Sequence, residues 1–164
     1  MRAPFQVLIF PFINERNNYL YAIFKRKDLK FWQGISGGGE GNEIPLQAAK
    51  REVFEETKID SEFIQLDSKT TIPVENLGNY RWKGVLVVPE YAFGVKAKSR
   101  KLEISYEHSE YKWLPYEKAS RLLKYDSNKT ALWELNYRLN EKQRKERNGQ
   151  VIRSSKARLL EKRV

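Results

Sequence analysis

The chain has 164 residues and no cysteine, with 40% hydrophobic and 13% aromatic residues. That excludes a disulfide scaffold, a thiolate metal site and a disordered composition, and it suits one domain with a real core. The charge is lopsided: +10 overall, with ten Lys/Arg against three Glu between Arg138 and Val164.

The first apolar run, residues 7–10, stops at Pro11, and no run approaches the length that spans a bilayer. One early arginine and no small-residue cleavage site argue against a secretory leader, so the expected setting is the cytoplasm, with no membrane contact. Residues 5–13 predict a strand, 14–18 a turn and 19–26 a second strand. Lys25, Arg26 and Lys27 then enter a loop that ends in Phe31-Trp32-Gln33-Gly34.

The next stretch, GGGEGNEIPLQAAKREVFEETKI at 37–59, carries the chemistry. Gly37 to Gly39 form a turn where backbone can come close to a ligand. Residues 42–57 predict a helix. Leu46, Ala49 and Val53 make its apolar stripe. Glu52, Glu55 and Glu56 stand at i, i+3 and i+4 and are expected to share one face. Carboxylates that close repel one another unless a counter-charge sits among them. A hard divalent cation bound through oxygen supplies it, and Mg²⁺ also takes phosphate oxygens from a substrate.

Beyond the helix, residues 62–72 predict a strand and 73–79 a loop. Residues 80–88 and 91–98 read as β-rich, with a break or bulge at Pro89-Glu90. Residues 110–114 predict a short strand and 115–124 a helix with proline in its first turn. Ser127 or Asn128 is expected to cap a longer helix that carries Ala131, Leu132, Leu135 and Leu139. Strands, helix, strands, helices: the order argues an α+β domain with a mixed sheet. Residues 1–147 form that domain, and 148–164 read as a basic tail, partly helical and broken at Asn148-Gly149. The tail has a functional reading, weak attachment to nucleic acid, and a plainer one as a solubilising or docked segment.

The run at 37–59 resembles the Nudix box, G-x5-E-x7-R-E, an aliphatic, x-E-E-x-G, an aliphatic. Gly37, Glu43, Arg51, Glu52, Val53, Glu55, Glu56 and Ile59 match. Lys58 stands where the pattern has glycine. If the helix ends there in a left-handed turn, lysine costs roughly 1 kcal/mol. Within that family, FWQGISGGGEGNE and YEHSEYKWLPYEKASRLL are similar to bacterial dihydroneopterin triphosphate pyrophosphatases. Related members act on dATP or other nucleoside triphosphates.

The resemblance implies an α/β/α sandwich with the box as loop-helix-loop. It also implies hydrolysis of a phosphoanhydride in a nucleotide or pterin triphosphate, with Mg²⁺ or Mn²⁺. Glu52 and Glu56 are the expected metal ligands, with Glu55 as a third ligand or the general base. Glu107 is the expected ligand from outside the box, and the Gly37 loop would offer backbone oxygen. Arg51 is expected to orient a carboxylate, and Glu43 to hold the loop. Arg26 and Lys27 would meet phosphates. Trp32 would stack on the ring or serve as core or pocket wall, and Gln33 would be a further substrate contact.

Overall fold

The computed structural model describes residues 1–28 and 30–161. Strand β1 (Arg2–Glu15) is the spine. It turns at Arg16 and Asn17, both at positive φ, into β2 (Asn18–Arg26). Short β3 (Trp32–Gln33) and then β4 (Ile35–Glu40) lead to helix α1 (Pro45–Thr57). Next come β5 (Phe63–Pro73), a 3₁₀ turn at Val74–Asn76, and β6 (Val87–Lys96). Strand β7 (His108–Leu114) and helices α2 (Tyr116–Leu122) and α3 (Asp126–Glu161) complete the described chain.

The strand order is β3-β2-β1-β6-β5, with β4 paired to β1 and β7 to β2. Only β1 and β6 run parallel, so the sheet is mixed. Alternation along β1 explains the layers. Leu8, Phe10 and Phe12 face Leu132 and Leu135 of α3, whereas Val7 and Ile9 face Ala49 and Val53 of α1. A strand covered on both sides is apolar throughout, which is why residues 7–10 show no polar interruption. The result is the expected α/β/α sandwich.

Four local expectations change. Residues 80–86 are not a strand: Gly84 sits at positive φ, and Trp82 Nε1 donates to the Arg2 carbonyl at 2.9 Å. β6 runs unbroken through Pro89-Glu90. Pro89 lies one residue before pairing with β1 begins at Gln6–Glu90, so its missing N–H breaks no bond to β1. Neither Ser127 nor Asn128 is a cap, because α3 already begins at Asp126; the Asn128 side chain is buried and accepts the Gly34 N–H at 3.0 Å. Helix α3 does not break at Asn148-Gly149. It continues to Glu161, and no described side chain after Leu139 is buried. The helix beyond Leu139 is roughly 33 Å long at 1.5 Å per residue. Residues 162–164 of the expected tail lie outside the described residues.

The end of α1 follows expectation. Lys58 adopts the left-handed conformation, φ 60°, and its N–H returns to the Phe54 carbonyl at 3.0 Å.

Candidate active site

The loop end of β4 and the outer face of α1 form one wall. Gly37 lies against Glu52: a Cβ at this position would stand 2.0 Å from the Glu52 Cδ. Gly37 is not among the glycines at positive φ, so space rather than backbone conformation demands it.

Arg51 is the hub of the box. Its guanidinium donates to both oxygens of Glu43, at 2.8 and 3.0 Å, and to the Gly38 carbonyl at 2.8 Å. It also donates to Glu52 at 2.9 Å and to Glu55 at 3.3 Å. Glu43 in turn accepts the Glu40 N–H at 2.8 Å, which ties helix to loop. The Arg51 bond holds the Glu43 carboxyl below its ordinary range. Burial raises Glu52 above its ordinary value, against the pull of the same arginine.

The three box carboxylates do not share one environment, contrary to expectation. Glu55 is exposed, whereas Glu52 and Glu56 are buried. Glu56 does not line the cleft. Its Oε2 lies 2.5 Å from His108 Nε2, brought across by β7. Burial raises the Glu56 carboxyl, and the histidine opposes the rise. The other ring nitrogen of His108, Nδ1, is buried without a partner.

A cleft of about 970 Å³ opens beside this wall. Gly37, Ser36, Glu52 and Glu55 line it, and Arg26, Gln33 and Glu107 face into it as well. The Arg26 guanidinium is held by Asp28 at 2.8 and 2.5 Å. Two expected substrate residues lie elsewhere. The Lys27 side chain is exposed and outside the cleft, and only its N–H takes part locally, donating to the Glu107 carbonyl at 3.1 Å. Trp32 packs on the core beneath α2 and α3, with Lys25 and Lys112 over its ring at 5.9 and 4.9 Å. The reason is the two-residue period of a strand: with Gln33 turned into the cleft, Trp32 turns away. Its core reading is the one observed.

A NUDIX domain profile matches residues 4–134. The chain belongs to the Nudix hydrolases. Dihydroneopterin triphosphate diphosphatase of Escherichia coli K12 is 30% identical over 137 residues, covering 80% of this Nudix hydrolase and 91% of the relative. A crystal structure from Listeria monocytogenes, described as a Nudix hydrolase, is 42% identical with a TM-score of 0.78. It covers 85% of this chain and 97% of its own. The Escherichia coli dihydroneopterin triphosphate pyrophosphohydrolase structure is 28% identical, with a TM-score of 0.69 over 82% of this chain and 97% of that one.

Nudix hydrolases generally use divalent metal ions and act on nucleotide-like small molecules. The donors here suit such an ion: Glu52, Glu55, Glu107 and the backbone oxygens of the Gly37 turn are all hard oxygen. Among the described residues no three carboxylates converge into a ready cage. Glu55 and Glu107 are exposed where they line the cleft.

Sequence reasoning missed Glu90. It lines the cleft, is 6% exposed, and burial pushes its carboxyl up to about 7. The signal was present: Val88, Glu90 and Ala92 alternate inward along β6, and an acid on an inward face stands out. The supposed break at Pro89-Glu90 hid it. Arg2, Gln6 and Asn128 also line the cleft and were not expected there.

Proposed function

We propose that this Nudix hydrolase is a metal-dependent pyrophosphohydrolase of dihydroneopterin triphosphate or a nucleoside triphosphate, releasing pyrophosphate. The supporting observation is the cleft itself. It joins an oxygen donor set on one wall (Glu52, Glu55) to Arg26 and Glu107 beside it, in a space large enough for a nucleotide. The names of the relatives, which match most of this chain, point to the same substrate class.

In this reading Glu52, Glu55 and Glu107 hold Mg²⁺ or Mn²⁺. The bound ion would neutralise the polyphosphate and lower the pKa of a water. Glu55, exposed and oriented by Arg51, would serve as the general base or as a further ligand. Arg51 sets the angle of Glu52 and Glu55, and Glu43 holds Arg51. Glu56 supports the wall from behind through His108 and would be a further ligand of the ion. Arg26 exchanges Asp28 for phosphate oxygen. The test is pyrophosphate release with Mg²⁺ across dihydroneopterin triphosphate, the nucleoside triphosphates and ADP-ribose. Turnover of the triphosphates that stops with chelator and returns with metal supports the reading. Turnover of ADP-ribose alone overturns it.

A second reading concerns α3. Its exposed stretch is rich in Lys and Arg, and the exposed rings of Trp133 and Tyr137 stack at 5.5 Å nearer its start. Cations along one helix with exposed rings nearer its start suit weak contact with single-stranded RNA. Deleting residues 148–164 would then reduce RNA binding and leave small-molecule turnover unchanged.

A further inference from the structure

Glu90 presents a puzzle that the hydrolytic chemistry does not absorb. It is nearly fully buried, yet no hydrogen bond or ion pair is made by its carboxylate among the described residues. Burial alone accounts for its raised pKa, so no cation offsets the cost. Most neighbours are committed elsewhere or neutral; Arg2 is the exception, with its Nε buried and without a hydrogen-bond partner among the described residues. Gln6, its partner on β1, donates to the Gly37 carbonyl at 2.7 Å and accepts from Arg2 at 3.1 Å. Thr70, its partner on β5, carries no charge. In the small cavity on the α3 side, Lys69 lies over the Tyr91 ring at 4.8 Å and Asp126 pairs with Lys129 at 3.8 Å. Arg2, in the larger cleft, lies over the Tyr80 ring at 4.9 Å.

The position is as telling as the isolation. Glu90, Gln6 and Gly38 form one row across β6, β1 and β4. Two strand spacings separate Glu90 from the glycine turn of the box, roughly 10 Å. A single ligand can therefore place its phosphates at Glu52 and its ring at Glu90. Phe31, Tyr80 and Tyr125 line the same cleft and supply flat apolar surface for that ring.

We infer that Glu90 selects the ring: its carboxylate receives the adjacent ring N–H and amino group of a 2-amino-4-oxo pyrimidine, the edge shared by pterins and guanine. This rests on the reading that the cleft hydrolyses a triphosphate. Two N–H donors side by side match the two oxygens of one carboxylate and satisfy a group that the protein leaves without a partner. Adenine offers a donor beside an acceptor at its corresponding edge, and hypoxanthine lacks the amino group. Both leave one oxygen of a buried carboxylate unsatisfied, and a site built around a hydrogen bond rejects such analogues strongly.

The test compares kcat/KM of the wild type and Glu90→Gln with dihydroneopterin triphosphate, GTP, ITP and ATP in Mg²⁺. The wild type should prefer the first two. Glu90→Gln should lose on the order of 100-fold on those two, mostly in KM, and change little on ATP, so that selectivity collapses. A variant that keeps the wild-type preference overturns the inference. So does a wild type that cleaves GTP no better than ITP, although triphosphate hydrolysis would then still stand. Should the wild type cleave none of the four, the hydrolytic reading fails on its own. Calorimetry with the β,γ-imido analogues of GTP and ITP then decides on Glu90. A tighter guanine complex in the wild type, lost in Glu90→Gln, supports the role, and equal binding refutes it.

Discussion

Glu56 and Glu90 are buried to nearly the same degree, 5% and 6% exposed, and burial raises the pKa of both. They differ in company. Glu56 has His108 at 2.5 Å, whereas Glu90 has no partner among the described residues. A buried acid with a partner is part of the scaffold, and removing either member leaves the other stranded. A buried acid without one is a standing cost to the fold, tolerated where a ligand completes it. The two positions should therefore answer mutation in opposite directions.

The largest effect is expected at the paired site. Glu56→Gln disturbs the pair with His108 and, by altering the further ligand proposed above, should also lower kcat on the order of 10³-fold in steady-state assays with Mg²⁺. Wild-type turnover in that variant would take Glu56 out of the catalytic machinery. His108→Ala leaves Glu56 buried without its partner, at about 3–5 kcal/mol. Calorimetry should then show a melting temperature lower by roughly 6–20 °C.

Glu90→Gln should do the reverse. The folded carboxyl, at about 7, stands above the ordinary 4.5. Between those values the folded state binds the proton more tightly than the unfolded chain, so stability falls as pH rises from 4.5 through 7. Above that window the charged, desolvated form bears the full penalty. Glutamine removes it, so the melting temperature should rise by roughly 5–10 °C at pH 8 relative to wild type, and the gain should fade toward pH 4.5. A loss of stability at pH 8 would mean that Glu90 has an internal partner, and the contrast with Glu56 would dissolve. The smallest effect belongs to Lys58→Gly, which relieves the left-handed φ of 60° and should add about 1 kcal/mol by denaturant unfolding.

The box, its helix and the sandwich were legible because they are short-range patterns. Glycine spacing, the stripe of Ala49 and Val53, and the alternation in β1 each act within a few residues. What escaped reading depends on distant pairing. Glu56 looks like a neighbour of Glu55 in sequence, yet its environment is set by His108, 52 residues later, through the pairing of β7 with β2. Asn128 looks like a cap because the helix starts there, and only the approach of Gly34 gives it another task. Trp32 and Gln33 look equivalent until the strand period separates them. Glu90 needed the register of three strands before it could be seen as the end of a row.

The fit of Gly37 against Glu52 restricts what selection can explore. Every other amino acid brings a Cβ, and that atom meets the same carboxyl carbon at 2.0 Å. A larger residue at 37 would therefore displace the Glu52 carboxyl, which Arg51 holds at 2.9 Å while also holding Glu43 and Glu55. A side chain at 37 would thus act on the metal wall without touching the ligand: it would push the Glu52 carboxyl out of the position that Arg51 sets.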